Sequence, residues 1–185
     1  MLHLYTDRLR LVPLTLEQLK ILSGGRNSLE RSMGLILSDF VLNADDSFME
    51  EFQLAIDTHC IPKVTENPDN YLWFTHWLIV HRSLDLTIGG IGVDGLPNES
   101  GEVMIGYYID KKFEGQGLAA EALAGMIKWL FENESVKSII ADTQEDNLAS
   151  QKVLRRNGFV FESRVDEGYR FRLRSEIEEP AALGI

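Results

Sequence analysis

Cysteine is nearly absent from this chain. Cys60 is alone among 185 residues, so no disulfide can close within the chain and a reducing compartment is expected. Next to Ile61 it reads as a partly buried core thiol. Basic residues are also few: 18 Lys and Arg against 29 Asp and Glu leave a formal net charge of −11. A phosphate backbone is held mainly by Lys and Arg, so nucleic acid is not expected as a partner. No apolar run approaches the roughly 20 residues that span a bilayer, and no membrane partner is expected. Met1-Leu2-His3-Leu4-Tyr5 has no basic flank and no signal-type apolar stretch, which points to a cytoplasmic protein. Repeats, low-complexity tracts and Pro/Ser-rich linkers are missing, so residues 1–185 read as one domain. The acidic balance would suit a cationic ligand such as an amine, but acidity also serves solubility. Much of it lies in Asp45-Asp46, Glu50-Glu51 and Glu176, Glu178 and Glu179.

Elements are legible in the periodicity. Leu9, Leu11 and Val12 suggest a first strand, and Thr15 with Gln18 forms a capping box that starts a helix. Helical spacing over 28–60 (Leu35, Ile36; Phe48, Phe52, Ile56), broken around Asn43–Asp46, predicts two short helices that end by Pro62 and Pro68. Tyr71–Val80, Leu86–Val93 and Val103–Ile109 read as an antiparallel meander. Leu118–Phe131 then carries a wide apolar helical face. Val136–Ala141 is a buried-type strand, and Asn147–Arg156 is a helix stopped by Asn157-Gly158. Phe159–Val165 and Tyr169–Leu173 are two further strands, so a mixed α/β sheet is expected.

The junction Ile109-Asp110-Lys111-Lys112-Phe113-Glu114-Gly115-Gln116-Gly117-Leu118 runs from a strand through Gly-x-Gly straight into a helix. The glycines permit positive φ and close backbone approach, and a helix N-terminus presents unpaired N–H groups to an anion. Gly-Lys-Ser/Thr is missing, which removes support for a nucleotide-triphosphate loop. The third glycine of a dinucleotide fingerprint is missing too, and a meander rather than a βαβ unit precedes the loop. By itself the motif also suits a tightly packed helix start with no ligand.

Its neighbours favour a ligand. Glu114-Gly115-Gln116-Gly117-Leu118-Ala119 resembles the acyl-coenzyme A signature of the GNAT N-acetyltransferases, Gln/Arg-x-x-Gly-x-Gly/Ala. Ile105-Gly106-Tyr107-Tyr108-Ile109 resembles that family's fourth strand, and Asn147-x-x-Ser150-x-x-Val153-Leu154-x-x-x-Gly158-Phe159 its second cofactor-contacting helix. The opening Thr6-Asp7-Arg8-Leu9-Arg10-Leu11 and the Asn-x-x-Ser form resemble the RimJ/RimL branch, which acetylates ribosomal-protein N-termini and other amines. The resemblance implies an α/β (α+β) fold: a mixed, mostly antiparallel sheet of about seven strands, splayed between the fourth and fifth and flanked by helices. It implies acetyl-coenzyme A as co-substrate, no metal, and a primary amine of a protein, peptide or small molecule as acceptor. Pyrophosphate would sit on Glu114, Gly115, Gln116, Gly117, Leu118 and Ala119, and pantetheine along the backbone near Tyr108 and Ile109, with Asn147 and Ser150 on the cofactor side. A monomer or homodimer is expected. Glu114 departs from the family's Gln or Arg and should weaken pyrophosphate binding unless it turns to solvent, as is expected, or Lys111, Lys112 or Lys152 offsets it. A module of this fold that binds acyl-coenzyme A without catalysis is the alternative.

For the chemistry, relatives often carry a carboxylate immediately before Ile-Gly-Tyr, where this chain has Met104. Glu102 lies two residues earlier on the same strand face, roughly 7 Å away, and is either a base or a surface glutamate flanking the turn. Asp142 is either an orienting carboxylate or a loop cap. The family's usual tyrosine acid falls at Leu154, and Ser150 takes the thiol-side place as in the RimJ/RimL branch, or serves only its helix end. Asn147 could equally be a helix cap. Trp73 and Trp77 read as core, and His59, His76 and His81 show no metal-ligand spacing.

Overall fold

The computed structural model describes residues 2–42, 47–166 and 168–175. Asn43–Asp46, where a helical break was expected, and the acidic residues 176–179 lie outside them. Strands β1 (Leu4–Tyr5) and β2 (Leu9–Pro13) come first, followed by α1 (Leu16–Ser23), α2 (Arg26–Ser32), α3 (Ser47–Ala55) and α4 (Ile61–Glu66). Then come β3 (Trp77–His81), β4 (Leu86–Val93), β5 (Glu102–Ile109), α5 (Leu118–Phe131), β6 (Ser138–Thr143), α6 (Leu148–Arg156), β7 (Val160–Val165) and β8 (Gly168–Arg174). The sheet has eight strands in the order β1-β2-β3-β4-β5-β6-β8-β7. Every pairing is antiparallel except β5 with β6. The short β1 adds one strand to the expected count, so the expected fourth and fifth strands are β5 and β6.

Period-2 alternation sorts the side chains onto two faces. Leu9, Leu11, Trp77 and Ile79 point to α5 and α6, where they join Leu123, Met126, Leu130 and Phe171 in one core. Val12, Leu14, Leu78 and Val80 point the other way, onto Leu19, Leu22, Leu29, Ile56 and Val64. Each such fully buried Leu or Met contributes on the order of 2 kcal/mol through area removed from water. The Thr15–Gln18 capping box is present at the start of α1.

Besides β6, which starts and ends two residues later than expected, three stretches differ from the periodicity, each for a local reason. Helix α2 ends at Ser32 because Gly34 takes a positive φ of 70°, and Ile36, expected on a helix, instead bridges Leu86. Pro62 does not end the second helical run. It sits at the start of α4, continuous with a π-turn over Ile56–Cys60, and the run stops only at Asn67-Pro68. Tyr71–His76 is not strand: Pro68–Trp73 forms a 3₁₀ turn. Its aromatics fold inward, with Trp73 and Trp77 both packing on Trp129 at ring distances of 5.0 and 5.1 Å. The Trp77 indole N–H donates to the Leu72 carbonyl at 3.0 Å, which fixes that turn to the strand.

Candidate active site

The β5–α5 junction is a built loop. Buried Asp110 accepts from the Lys112 N–H at 2.9 Å and starts a 3₁₀ turn over Lys111–Phe113. Gly115 and Gly117 follow at φ 72° and 76°, a region that side chains with a Cβ resist. Gly117 is the N-cap of α5 and offers no side-chain acceptor, so the first-turn N–H groups stay available. A Cβ at Gly115 would meet nothing within 4 Å. At Gly117 it would face Arg156 Nη1 at 3.4 Å and Arg8 Nη2 at 3.8 Å. Free N–H groups, a helix dipole and two guanidinium groups around open space suit a pyrophosphate. Glu114 is exposed. Of the lysines named as an alternative offset, Lys112 pairs with Asp39 at 3.1 Å. Arg8 and Arg156 were missed as cations of this loop, the first because it sits about a hundred residues upstream and the second because it reads as a helix end.

The N-terminal motif has a physical role at this loop. Glu121, in the first turn of α5, accepts from Thr6 Oγ1 at 2.6 Å, from the Arg8 N–H at 2.8 Å and from Arg8 Nε at 2.7 Å. Arg8 Nη1 then donates to the Gln116 carbonyl at 3.1 Å. Thus Thr6-Asp7-Arg8 clamps the entry of α5. Burial works to raise the Glu121 pKa, but the bonds from Thr6 and Arg8 outweigh it and hold the carboxyl below its ordinary 4.5. A depressed carboxylate stabilises the fold above its ordinary pKa and loses that contribution as the pH falls through the folded value. Glu121→Ala is therefore expected to lose about 2–4 kcal/mol at pH 7. In urea titrations the gap from wild type should close below pH 4.5; a constant gap would show that the clamp is not ionic.

The cleft follows from strand register. β5 and β6 pair only over Glu102–Met104 with Ser138–Ile140. Beyond that point Ile105–Ile109 pairs with β4 alone, and Ala141–Thr143 pairs with β8 alone. Five residues of β5 and three of β6 thus turn unpaired edges toward each other, the splay expected between these strands. On the α5/α6 face the Tyr107 hydroxyl lies 3.1 Å from Ser150 Oγ and 3.3 Å from the Ser150 carbonyl. Burial pushes the Tyr107 pKa up to about 12, against the opposing Ser150 bond, so it stays a phenol. Asn147 Oδ1 caps α6 by accepting from the Ser150 N–H at 2.9 Å.

On the opposite face the two expected carboxylates are held by arginines. Glu102 pairs with Arg172 at 2.5 Å, and Arg172 also binds Glu162 and Ser138. Asp142 binds Arg170 through both oxygens, at 2.8 and 2.7 Å. Tyr108 lies on this face too, stacked on His76, whose buried ring has its pKa lowered to about 3 by burial and by Arg26. A Cβ on Gly90 would overlap both the His76 ring and Tyr108 Cζ, which is why that strand position is glycine. Cys60 is half-buried, and burial with Asp94 pushes its thiol up to about 11. Among the described residues no three His, Cys, Asp or Glu side chains gather as a metal site, and no helix is long and apolar enough to cross a membrane.

The chain and its fold are similar to known proteins. The sequence profile of the acetyltransferase (GNAT) domain matches residues 8–160. The chain belongs to the GNAT acetyltransferase family. Among curated relatives, this GNAT chain is 37% identical over 87 residues to the uncharacterized N-acetyltransferase YjdG of Bacillus subtilis, covering 47% of the chain and 52% of YjdG. It is 30% identical over 78 residues to the ribosomal-protein-serine acetyltransferase of Escherichia coli, covering 42% of the chain and 44% of the relative. The matched stretches therefore span about half the length of each. The fold is similar to that of RimL, a ribosomal L7/L12 α-N-protein acetyltransferase solved with coenzyme A. That match has a TM-score of 0.66 at 16% identity and covers 96% of this chain and all of that one.

Proposed function

We propose that this GNAT domain transfers the acetyl group of acetyl-coenzyme A directly to a primary amine. The observation that carries this reading is the continuity of an anion-binding loop with the unpaired edge of Ile105–Ile109. The loop backbone from Glu114 to Ala119, with Arg8 and Arg156, would hold the pyrophosphate. The β5 edge near Tyr108 and Ile109 would take the pantetheine arm as an added strand, and its free N–H groups would polarise the thioester carbonyl. The amine nitrogen forms a bond to the carbonyl carbon, the carbon–sulfur bond breaks, and the thiolate takes a proton from Ser150 Oγ. Tyr107 can donate to Ser150 Oγ, which orients the serine proton toward the sulfur; its own proton then follows onto the serine and is replaced from the solvent that receives the amine proton, so the phenol is restored. Asn147 holds Ser150 in place and offers its amide NH₂ to the cofactor side.

Glu102 and Asp142 line the acceptor face, but their oxygens are engaged by Arg172 and Arg170. We assign them to shaping that face, with the amine entering neutral and losing its proton to solvent once the new bond forms. The name of the Escherichia coli relative, a ribosomal-protein-serine acetyltransferase, supports the RimJ/RimL branch and with it a protein or peptide amine. Calorimetry with acetyl-coenzyme A, followed by thiol release across a panel of amines, tests the reading. Tight binding and release with at least one amine is the expected result. Binding with no release on any amine would leave a sensor and overturn the transferase.

A further inference from the structure

Arg26 opens α2 beside the Tyr108 face of β5, and among the described residues no carboxylate forms an ion pair with it. Its Cζ lies 4.0 Å above the Phe40 ring, and its Nη2 donates to the Tyr108 hydroxyl at 3.3 Å. Its Nη1 is buried and has no hydrogen-bond partner among the described residues. Around Tyr108 stand the half-buried rings of Phe40, Phe48 and Phe52, at 5.8, 5.6 and 5.4 Å. The one titratable ring in the group, His76, is 3.1 Å from the Tyr108 hydroxyl. Arginine can only donate and Tyr108 stays protonated, so the hydroxyl donates onward to His76 Nε2. That chain is complete without Nη1. A buried donor on a charged group left unpaired costs more than an ordinary lost hydrogen bond, so a group outside the described protein is its natural partner.

The location says what the partner is for. Tyr108 is two residues from Gly106, within the strand segment whose edge is open at the splay, and its side chain is on the face opposite Tyr107 and Ser150. Farther along that face, Glu102, Asp142 and Glu162 are each paired with Arg170 or Arg172, so none of these three carboxylates is free for a cationic tail. Resting on the acetyltransferase reading, we infer that Arg26 is a specificity-determining residue: its Nη1 binds a carboxylate of the acceptor, which is an amine carrying a carboxylate a few bonds away. A free amino acid and a peptide with an acidic side chain at its N-terminus share this chemistry. The phenylalanine rings supply the low-dielectric rim that strengthens the pair. The net charge of −11 therefore does not by itself predict the acceptor's charge, because the carboxylates named on this face are already engaged by Arg170 and Arg172.

The test uses matched ligands on the full chain. N-acetylglutamate and its diamide are titrated calorimetrically into the coenzyme A-loaded protein, which reads the site without chemistry. Acetyl transfer is then followed with glutamate, with the peptide Glu-Ala-Ala, and with their amide counterparts, which separates the free amino acid from the peptide. Wild type should bind and turn over at least one carboxylate member about tenfold better than its amide, as expected for a charge-assisted bond. Arg26→Met should abolish that preference through KM, leave acetyl-coenzyme A affinity unchanged, and keep or raise the melting temperature; Arg26→Lys should restore part of the preference. Equal binding of N-acetylglutamate and its diamide by wild type overturns the inference, as does a preference that survives in Arg26→Met. Preferential binding of N-acetylglutamate with no transfer to any amine would instead overturn the acetyltransferase reading and leave the Arg26 site standing.

Discussion

Gly117→Val is expected to remove measurable acetyl-coenzyme A binding while the protein stays folded. Gly117 combines a φ of 76° with the N-cap position of α5. A β-branched residue resists that conformation at a cost of about 1–3 kcal/mol, and relaxing it would swing the first-turn N–H groups off their line. The protein itself leaves room for a Cβ, the nearest atoms being guanidinium nitrogens at 3.4 and 3.8 Å. The added methyls therefore extend into the space those guanidinium groups surround, where the phosphates would lie. Losing the N–H groups and the approach together should weaken binding by more than about a hundredfold, which is near 3 kcal/mol. Calorimetry reads the affinity, and a melting curve shows that the variant is folded. Affinity within threefold of wild type in a folded variant would remove the loop from the cofactor site.

How much of this was legible in the sequence depends on the range of the interaction. Helix α5 was readable to the residue because Leu118–Phe131 carries its own apolar stripe, and the β4 bounds were readable because Leu86–Val93 is a short apolar run. Signals of this kind are local. Tyr71–His76 misled because aromatic residues favour strands only where a pleated surface receives them, and here Trp73 found Trp129 from a turn. Arg8 and Arg156 could not be placed at the Gly117 loop by spacing, since the distance that matters is across the sheet. The ion pairs that hold Glu102 and Asp142 come from β8, whose alternating Arg170 and Arg172 are legible only once β8 is known to lie beside β6. Tyr107, which the sequence offered only as part of the Ile105–Ile109 strand motif, is the neighbour of Ser150 for the same reason.

That contact leads to the second large effect, on turnover. A proton donor positioned at the leaving group is worth about 10²–10⁴ in rate, so Ser150→Ala should lower kcat by about a hundredfold or more with amine acceptors. Binding should change little, because the phosphate loop and the β5 edge are untouched and Asn147 still caps α6 through the residue-150 N–H. Tyr107→Phe separates two roles for the serine. If Tyr107 only packs, its loss leaves kcat near wild type; if it orients and replenishes the Ser150 proton, kcat falls by about tenfold while the acetyl-coenzyme A affinity holds. The 3.1 Å approach of the two hydroxyls, with Tyr107 kept protonated by burial, favours the second outcome. The double variant decides whether they act as a unit: a loss equal to that of Ser150→Ala alone means that the tyrosine works through the serine. Pre-steady-state thiol release reads this directly, and equal losses of kcat and affinity in Ser150→Ala would confine the hydroxyl to holding the cofactor.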